Sequence, residues 1–204
     1  MIFRTPFLPL LLLLCCSCGR RKNACVVLHT NMGDIKVRLF DSTPGHRDHF
    51  LASFTGNPAD TLLFYRVERD FTIQFGPPPG KTPPGHRPNP EIEAPLSGGA
   101  LVSASAGPNK LPDGTNFFIV MDHPQTDASL DAVEKKRNLH FTPEERAAYK
   151  KYGGQPLLHG QYTVFGEVTA GMEVAQKIAA LPRDANARPL QRVWAVGSSS
   201  SSGN

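Results

Sequence analysis

The sequence predicts a mainly β fold, about eight short strands and two helices fitting a closed antiparallel barrel capped at its ends. Three observations carry that prediction. With 19 Pro and 18 Gly in 204 residues, the chain is turn-rich rather than a helical bundle. Short runs of alternating or continuous apolar residues recur between those turns. Only two segments outside a charged central stretch combine helix-forming residues with an apolar face. At 40% hydrophobic and 20% charged residues, the composition is that of one well-packed globular domain, with no internal repeat and no second domain.

The chain begins with "MIFRTPFLPLLLLLCCSCGRRKN". One positive charge, Arg4, precedes an apolar run from Phe7 to Leu14, too short to span a bilayer and of the length of a signal-peptide core. Three of the four cysteines, Cys15, Cys16 and Cys18, follow it. The cluster resembles a bacterial lipoprotein signal, in which a Cys after a small residue is acylated and becomes the new N-terminus. Cys18, preceded by Ser17, fits best; Cys15 and Cys16 are the alternatives, and ordinary secretion with cleavage nearby is another. A metal-binding Cys tract needs further ligands at a defined spacing, and only Cys25 remains. With Cys18 acylated, no disulfide would hold the domain.

After this tether, "CVVLHTNMGDIKVRLF" predicts a hairpin, with Ile35, Val37 and Leu39 alternating with Lys36 and Arg38 after a turn at residues 31–34. "STPGHRDHFLASF" predicts a helix capped by Ser42 or Thr43, with Pro44 in its first turn and His46, Phe50, Leu51 and Phe54 on one face. Two strands follow, over 62–67 and 71–75, then a Pro- and Gly-rich surface loop over 77–99. "GALVSASAGPN" and "TNFFIVMD" predict two more strands. Residues 122–156 are charged and helix-prone, with a capping box at Thr142, Pro143 and Glu145, and predict a helical insertion on the β scaffold. "QYTVFGEV" predicts a strand, "GMEVAQKIAAL" a helix facing Val174, Ile178 and Leu181 inward, and "PLQRVWAV" a closing strand. The tail "GSSSSSGN" is low-complexity and predicts disorder.

Reactive constellations are few. The chain has no Gly-x-Ser-x-Gly, no phosphate-binding loop, no paired-His helix and no CxxC with a partner. Its seven histidines lack metal spacing; His46 and His49 are expected at a solvated or core edge. Glu91, Glu93, Glu144 and Glu145 fall in loops or in the charged insertion. The formal net charge of +4 is spread over scattered Lys and Arg with no stripe of stacking aromatics, which argues against nucleic-acid binding. What remains is Arg66 inside the apolar run "LLFYRV", with Phe71, Gln74, Asn116, Phe118, Leu158 and Tyr162. A charge there needs a partner, or a substrate. Taken singly, Arg66 reads as a surface residue paired with Glu68, and Phe71, Phe118 and Leu158 as plain core. Taken together, they suit an apolar pocket with a few hydrogen-bonding groups.

Four blocks decide between these readings. "TNMGDIKVRLF", "FYRVERDFTIQFG", "GALVSASAGPN…TNFFIV" and "LLHGQYTVFGEVTAGMEVAQKIA" resemble, in this order, the signature blocks of the cyclophilin family of peptidyl-prolyl cis-trans isomerases. The resemblance covers residues 25–196, interrupted by the insertion. The "TPEERAAYKKYGGQPLLHGQYTVFGEV" arrangement is similar to the longer family members found as bacterial envelope lipoproteins. It implies a cyclophilin-like eight-stranded barrel capped by two helices, behind a signal peptide (1–17) and a tether (18–24), with a disordered tail (197–204). It also implies isomerisation of X–Pro bonds in folding envelope proteins, by a monomer anchored through Cys18, without metal, cofactor or covalent intermediate. By the same resemblance Arg66 is the catalytic residue. Phe71, Thr72, Gln74, Ala104, Ser105, Ala106, Asn116, Phe118, Leu157, Leu158 and Tyr162 line its groove.

Several positions depart from the family pattern. Thr72 stands for a usual Met and is expected to shrink the pocket wall; Asn116 stands for a usual Gln and shortens the amide's reach. Leu157 stands where Trp or Phe is common, and Tyr162 where His is. Phe75 stands for a usual Gly and is expected to reshape a backbone passage. The rival to an active enzyme is a non-catalytic module of the same fold that holds proline-containing partners. A structural lipoprotein without a groove leaves Arg66, Gln74 and Phe118 unexplained.

Overall fold

The computed structural model describes residues 24–54, 61–78, 88–91, 94–104 and 116–200. Eight strands form a closed antiparallel barrel: β1 (Cys25–Thr30), β2 (Gly33–Leu39), β3 (Leu62–Val67), β4 (Thr72–Gly76), β5 (Ala100–Ser103), β6 (Phe117–Val120), β7 (Val164–Ala170) and β8 (Val193–Ser200). Their order around the barrel is β1-β2-β7-β5-β6-β4-β3-β8, closed by the β8–β1 pairing. Among the described residues four α-helices accompany them: α1 (Pro44–Ala52), α2 (Asp127–Arg137), α3 (Pro143–Tyr152) and α4 (Met172–Ala179).

Strand alternation sends one set of side chains inward. Val26, Leu28, Ile35, Val37, Leu39, Phe64, Ile73, Phe75, Phe117 and Phe165 are all buried in one interior cluster. α1 and α4 close opposite openings. Phe50 of α1 meets Phe117 edge-on at 4.8 Å and Phe165, at the start of β7, at 5.4 Å. Val174 of α4 lies against Gly33, at the far end of the neighbouring β2, so closely that a Cβ on Gly33 would approach it to 2.9 Å. β5 and β6 are buried along their whole length, because a second apolar cluster covers their outer face; that explains their unbroken apolar runs.

The insertion expected near 122–156 is α2 and α3. They share a small core of Leu130, Val133, Phe141 and Tyr149. The capping box at Thr142 and Glu145 forms as expected. A second one, Thr126 with Ser129, caps α2 and has no acidic signature in the sequence to announce it. Arg146 gathers Asp127, Asp131 and Glu134 across the helix pair.

Three expectations need correction. The Ser-rich segment from 197 onward is not wholly a disordered tail, because Gly197–Ser200 continues β8 and pairs with β1 as far as Cys25↔Ser200. The closing strand begins at Val193 rather than 189, since Pro189 is tied back to Arg183 in a loop. Thr43 occupies the N-cap of α1 without a capping hydrogen bond. Glu91 takes over that task from 45 residues away, accepting from Gly45 N (3.2 Å) and His46 N (3.1 Å). The segment expected to be a signal peptide (1–17), Cys18 and residues 201–204 lie outside the described residues.

Candidate active site

β3 carries one residue too many for its partner. Phe64 pairs with Phe75, but Arg66, not Tyr65, pairs with Gln74, so Tyr65 is an extra residue in a bulge. Side chains two apart on a regular strand share a face, and Phe64 points into the barrel core. The bulge reverses that parity and turns Arg66 outward. The inserted residue therefore keeps a guanidinium out of a hydrophobic interior, where an unpaired charge is prohibitively costly.

From Arg66 a row crosses the outer face of the sheet. Arg66 lies opposite Gln74, Gln74 opposite Phe118, Phe118 opposite Val102, and Val102 opposite Val164. Opposed residues on paired strands project to the same side, and each strand adds about 4.8 Å. The guanidinium, the amide and the aromatic ring thus span about 10 Å in one line. Leu158, in a short 3-10 turn at Pro156–Leu158, and Tyr162 both pack against the cluster that contains Phe118. Tyr162 stands edge-on to Phe118, with centroids 5.4 Å apart and planes at 87°.

Arg66 is held but reachable. Its Nε donates to Glu68 Oε1 at 2.8 Å, while the side chain stays 46% exposed. Glu68 in turn sits in the β3–β4 turn, where its N–H donates to Thr72 O and its carbonyl accepts from Phe71 N. Phe71 precedes β4, half-buried, and its carbonyl accepts from Met121 N. Ala104 and Asn116, both half-buried, meet through Ala104 N donating to Asn116 O at 2.8 Å, just beyond the ends of β5 and β6. Leu157 is 44% exposed at the rim of the 3-10 turn. Ser105 and Ala106 lie outside the described residues.

Two positions behave differently from expectation. Thr72 shares the outer face with Gln74 but is only 1% exposed. It acts beneath the surface, its Oγ1 accepting from Gln74 Nε2 at 3.4 Å, rather than as an open pocket wall. Phe75 does not border the groove at all. It is buried inside the barrel, 5.0 Å from the Phe64 ring and 5.9 Å from Phe117. His46 and His49 are buried residues of α1 itself, and His46 Nδ1 is bonded to Glu91 at 2.7 Å; neither belongs to this face. Sequence reasoning saw Glu91 only as one of two carboxylates, with Glu93, in a Pro-rich loop, and missed its role. It also missed the Tyr65 bulge, which an apolar run does not reveal.

The resulting face offers a directed cationic donor, an amide able to donate and accept, and an aromatic ring, Phe118, only 4% exposed and packed with Leu158 and Tyr162. It suits an extended peptide carrying one compact apolar ring. Comparisons with known proteins agree in outline. The family model described as cyclophilin type peptidyl-prolyl cis-trans isomerase/CLD matches residues 25–197. A peptidyl-prolyl cis-trans isomerase of Arabidopsis thaliana is 31% identical over 177 residues, 82% of this chain and 90% of that protein. A Staphylococcus haemolyticus protein provisionally assigned the same activity is 32% identical over 177 residues, covering 82% and 86% respectively. The crystal structure of a cyclophilin type isomerase from Cryptosporidium parvum superposes with a TM-score of 0.65 at 24% identity, over 89% of this chain and 99% of that one.

Proposed function

This chain belongs to the cyclophilin-type peptidyl-prolyl cis-trans isomerase family, and from that premise we propose that Arg66 catalyses X–Pro isomerisation on the outer face of the barrel. The observation that carries the proposal is the cross-strand row Arg66–Gln74–Phe118, set in place by the Tyr65 bulge. The reaction needs no nucleophile. Its barrier, roughly 18–20 kcal/mol, is the loss of amide resonance as the bond twists. In the twisted state the prolyl nitrogen regains a lone pair and accepts a hydrogen bond, which neither planar isomer does. An arginine donor at that nitrogen stabilises the transition state selectively. Glu68 occupies Nε, which leaves the Nη edge of the guanidinium to turn toward the peptide. Phe118, Leu158 and Tyr162 hold the ring in a dry site, where a directed donor counts for more. Gln74 and Asn116 hold the peptide backbone.

Replacing Arg66 by Ala is expected to lower kcat/KM on a short X–Pro peptide by about 100-fold, the scale of losing one preorganised donor. The melting temperature should change little, because the side chain is half exposed. A wild-type protein that gives no acceleration over the spontaneous rate leaves the binding-module reading standing instead.

The proposal extends to location. The "LPLLLLLCCSCGRRKN" segment supports acylation at Cys18, a bacterial lipid anchor, and a monomeric isomerase acting on proline-containing segments of folding envelope proteins. Cys18→Ser is expected to move the protein from the detergent phase to the aqueous phase; retention in the detergent phase would transfer the anchor to Cys15 or Cys16, or to an uncleaved signal.

A further inference from the structure

The α2–α3 insertion separates β6 from the 3-10 turn that bears Leu157 and Leu158, and its contacts run to that turn. Arg137, the last residue of α2, donates from one nitrogen, Nη1, to two backbone carbonyls at 2.8 Å each, Leu157 O and His159 O. These two carbonyls flank Leu158, whose side chain packs on the Phe118 and Tyr162 cluster. The backbone hydrogen bonds of the segment itself are short-range: Leu158 N to Gln155 O, His159 N to Pro156 O, and Gln161 N to Leu158 O. The cap of the turn, Gln155, is tied to the barrel side through Gln155 N to Leu96 O and Gln155 Nε2 to Asp70 O, but from Pro156 to Gln161 the backbone closes on itself, and such a stretch opens locally at small cost.

Gln161 Nε2 also donates to Leu157 O at 2.9 Å and Leu158 packs on the barrel; the restraints on His159 come from the insertion. The His159 ring packs edge-on to Phe141 at 5.1 Å, and its Nδ1 is bonded to the Tyr149 hydroxyl at 3.1 Å. That hydroxyl accepts from Leu96 N on the barrel side, so Tyr149 bridges the insertion, the rim and the outer apolar cluster. Charge-assisted hydrogen bonds are roughly twice as strong as neutral ones, and two carbonyls converging on one nitrogen fix their mutual position.

We propose that Arg137 is a positioning residue for the substrate groove, and that the insertion serves as the groove's outer buttress by clamping the Leu157–His159 backbone. This rests on the isomerase reading of the groove. It assigns the insertion a task in binding rather than in chemistry: Arg66 acts on the twisting bond, while Arg137 keeps Leu158 where the proline ring must land. A rim displaced by about 1 Å loses that fit.

The test pairs amide hydrogen exchange with steady-state kinetics on the full folded chain. Arg137→Met keeps the aliphatic stem and removes the donors. It is expected to speed exchange of the Leu158, His159 and Gln161 amides about tenfold, leaving Gln74 and Phe118 in the barrel unchanged. KM for an X–Pro peptide should rise about tenfold with kcat within twofold, and Arg137→Lys should recover part of both. Unchanged rim exchange in folded Arg137→Met overturns the proposal. So does faster exchange with KM unaltered. If Arg137→Met does not fold, Arg137→Lys carries the same comparison, with a smaller shift in both readouts expected and no shift in either overturning it. Exchange is read without turnover, so a wild type inert on every X–Pro peptide would sink the isomerase reading while still deciding whether Arg137 holds the rim.

Discussion

Arg66 and Glu68 form an ion pair whose effect is on orientation rather than on folding. The guanidinium is 46% exposed and the carboxylate 27%, so solvent screens most of their attraction. What the 2.8 Å contact does is restrict the arginine to rotamers that present its Nη edge. Glu68→Ala is therefore expected to lower kcat/KM by about two- to fivefold, the scale of a partly exposed pair. The loss should fall in kcat, with the denaturation midpoint unmoved. Glu68→Gln keeps an acceptor oxygen and should lose less. A Glu68→Ala enzyme as fast as wild type would mean that Arg66 finds its working rotamer unaided.

The helices reach the barrel through side chains that sequence proximity does not connect, and α1 is the clearest case. Burial pushes the Glu91 carboxyl up, but the hydrogen bonds from the His46 ring and from the His46 and Gly45 amides outweigh it and hold the carboxyl below its usual range. The ionised form thus caps the helix and faces its positive end. A carboxyl lower in the folded state than in the unfolded one stabilises the fold above the unfolded value, and this contribution is lost as pH falls through and below it. Glu91→Gln is expected to cost about 1–3 kcal/mol at pH 7, the scale of an impaired buried hydrogen-bond network. The difference from wild type should shrink as both are acidified below about pH 4.3. Urea midpoints at pH 7 and pH 3.5 check both statements; an equal gap at the two pH values would contradict them. Thr43 and Pro44 made the helix start legible in the sequence, but the side chain that caps it is a tertiary partner.

Across the whole molecule, the barrel interior is a connected set of aromatic rings. Phe64 meets Phe75, Phe75 meets Phe117, and Phe117 meets Phe50 and Phe165. Phe75 sits in this chain with no solvent exposure. Phe75→Ala is expected to cost about 3–5 kcal/mol, transfer and cavity combined. It should leave the kcat/KM of the folded fraction near that of wild type, because the groove is on the other side of the sheet. Guanidinium unfolding with activity measured at low temperature separates the two effects, and a large activity loss in fully folded protein would place Phe75 in the groove after all. The outer face has the complementary dependence: β5 and β6 are buried on both sides because Ala94 and Leu96 of the loop before β5, Leu158 of the 3-10 turn, Phe40 and Tyr162 pack on them.

Periodicity and turn chemistry by themselves determined the existence of the strands, the two closing helices, the insertion and its α3 cap. These are local consequences of alternation, capping and Pro or Gly punctuation, written within a few residues of where they act. The order of four blocks singled out Arg66, Gln74 and Phe118. Only the tertiary structure decided the rest. Whether Arg66 points into the core or out of it depends on the pairing of β3 with β4, because one extra residue reverses a period of two. Gly197–Ser200 is strand because β1 supplies its hydrogen-bond partners, despite a composition that argues for disorder. Thr72 lies under the surface and Phe75 inside the barrel, a division set by which face each position presents and by what covers that face. Glu91 and Arg137 act across 45 and 20 residues of chain, through side-chain atoms that no local window contains.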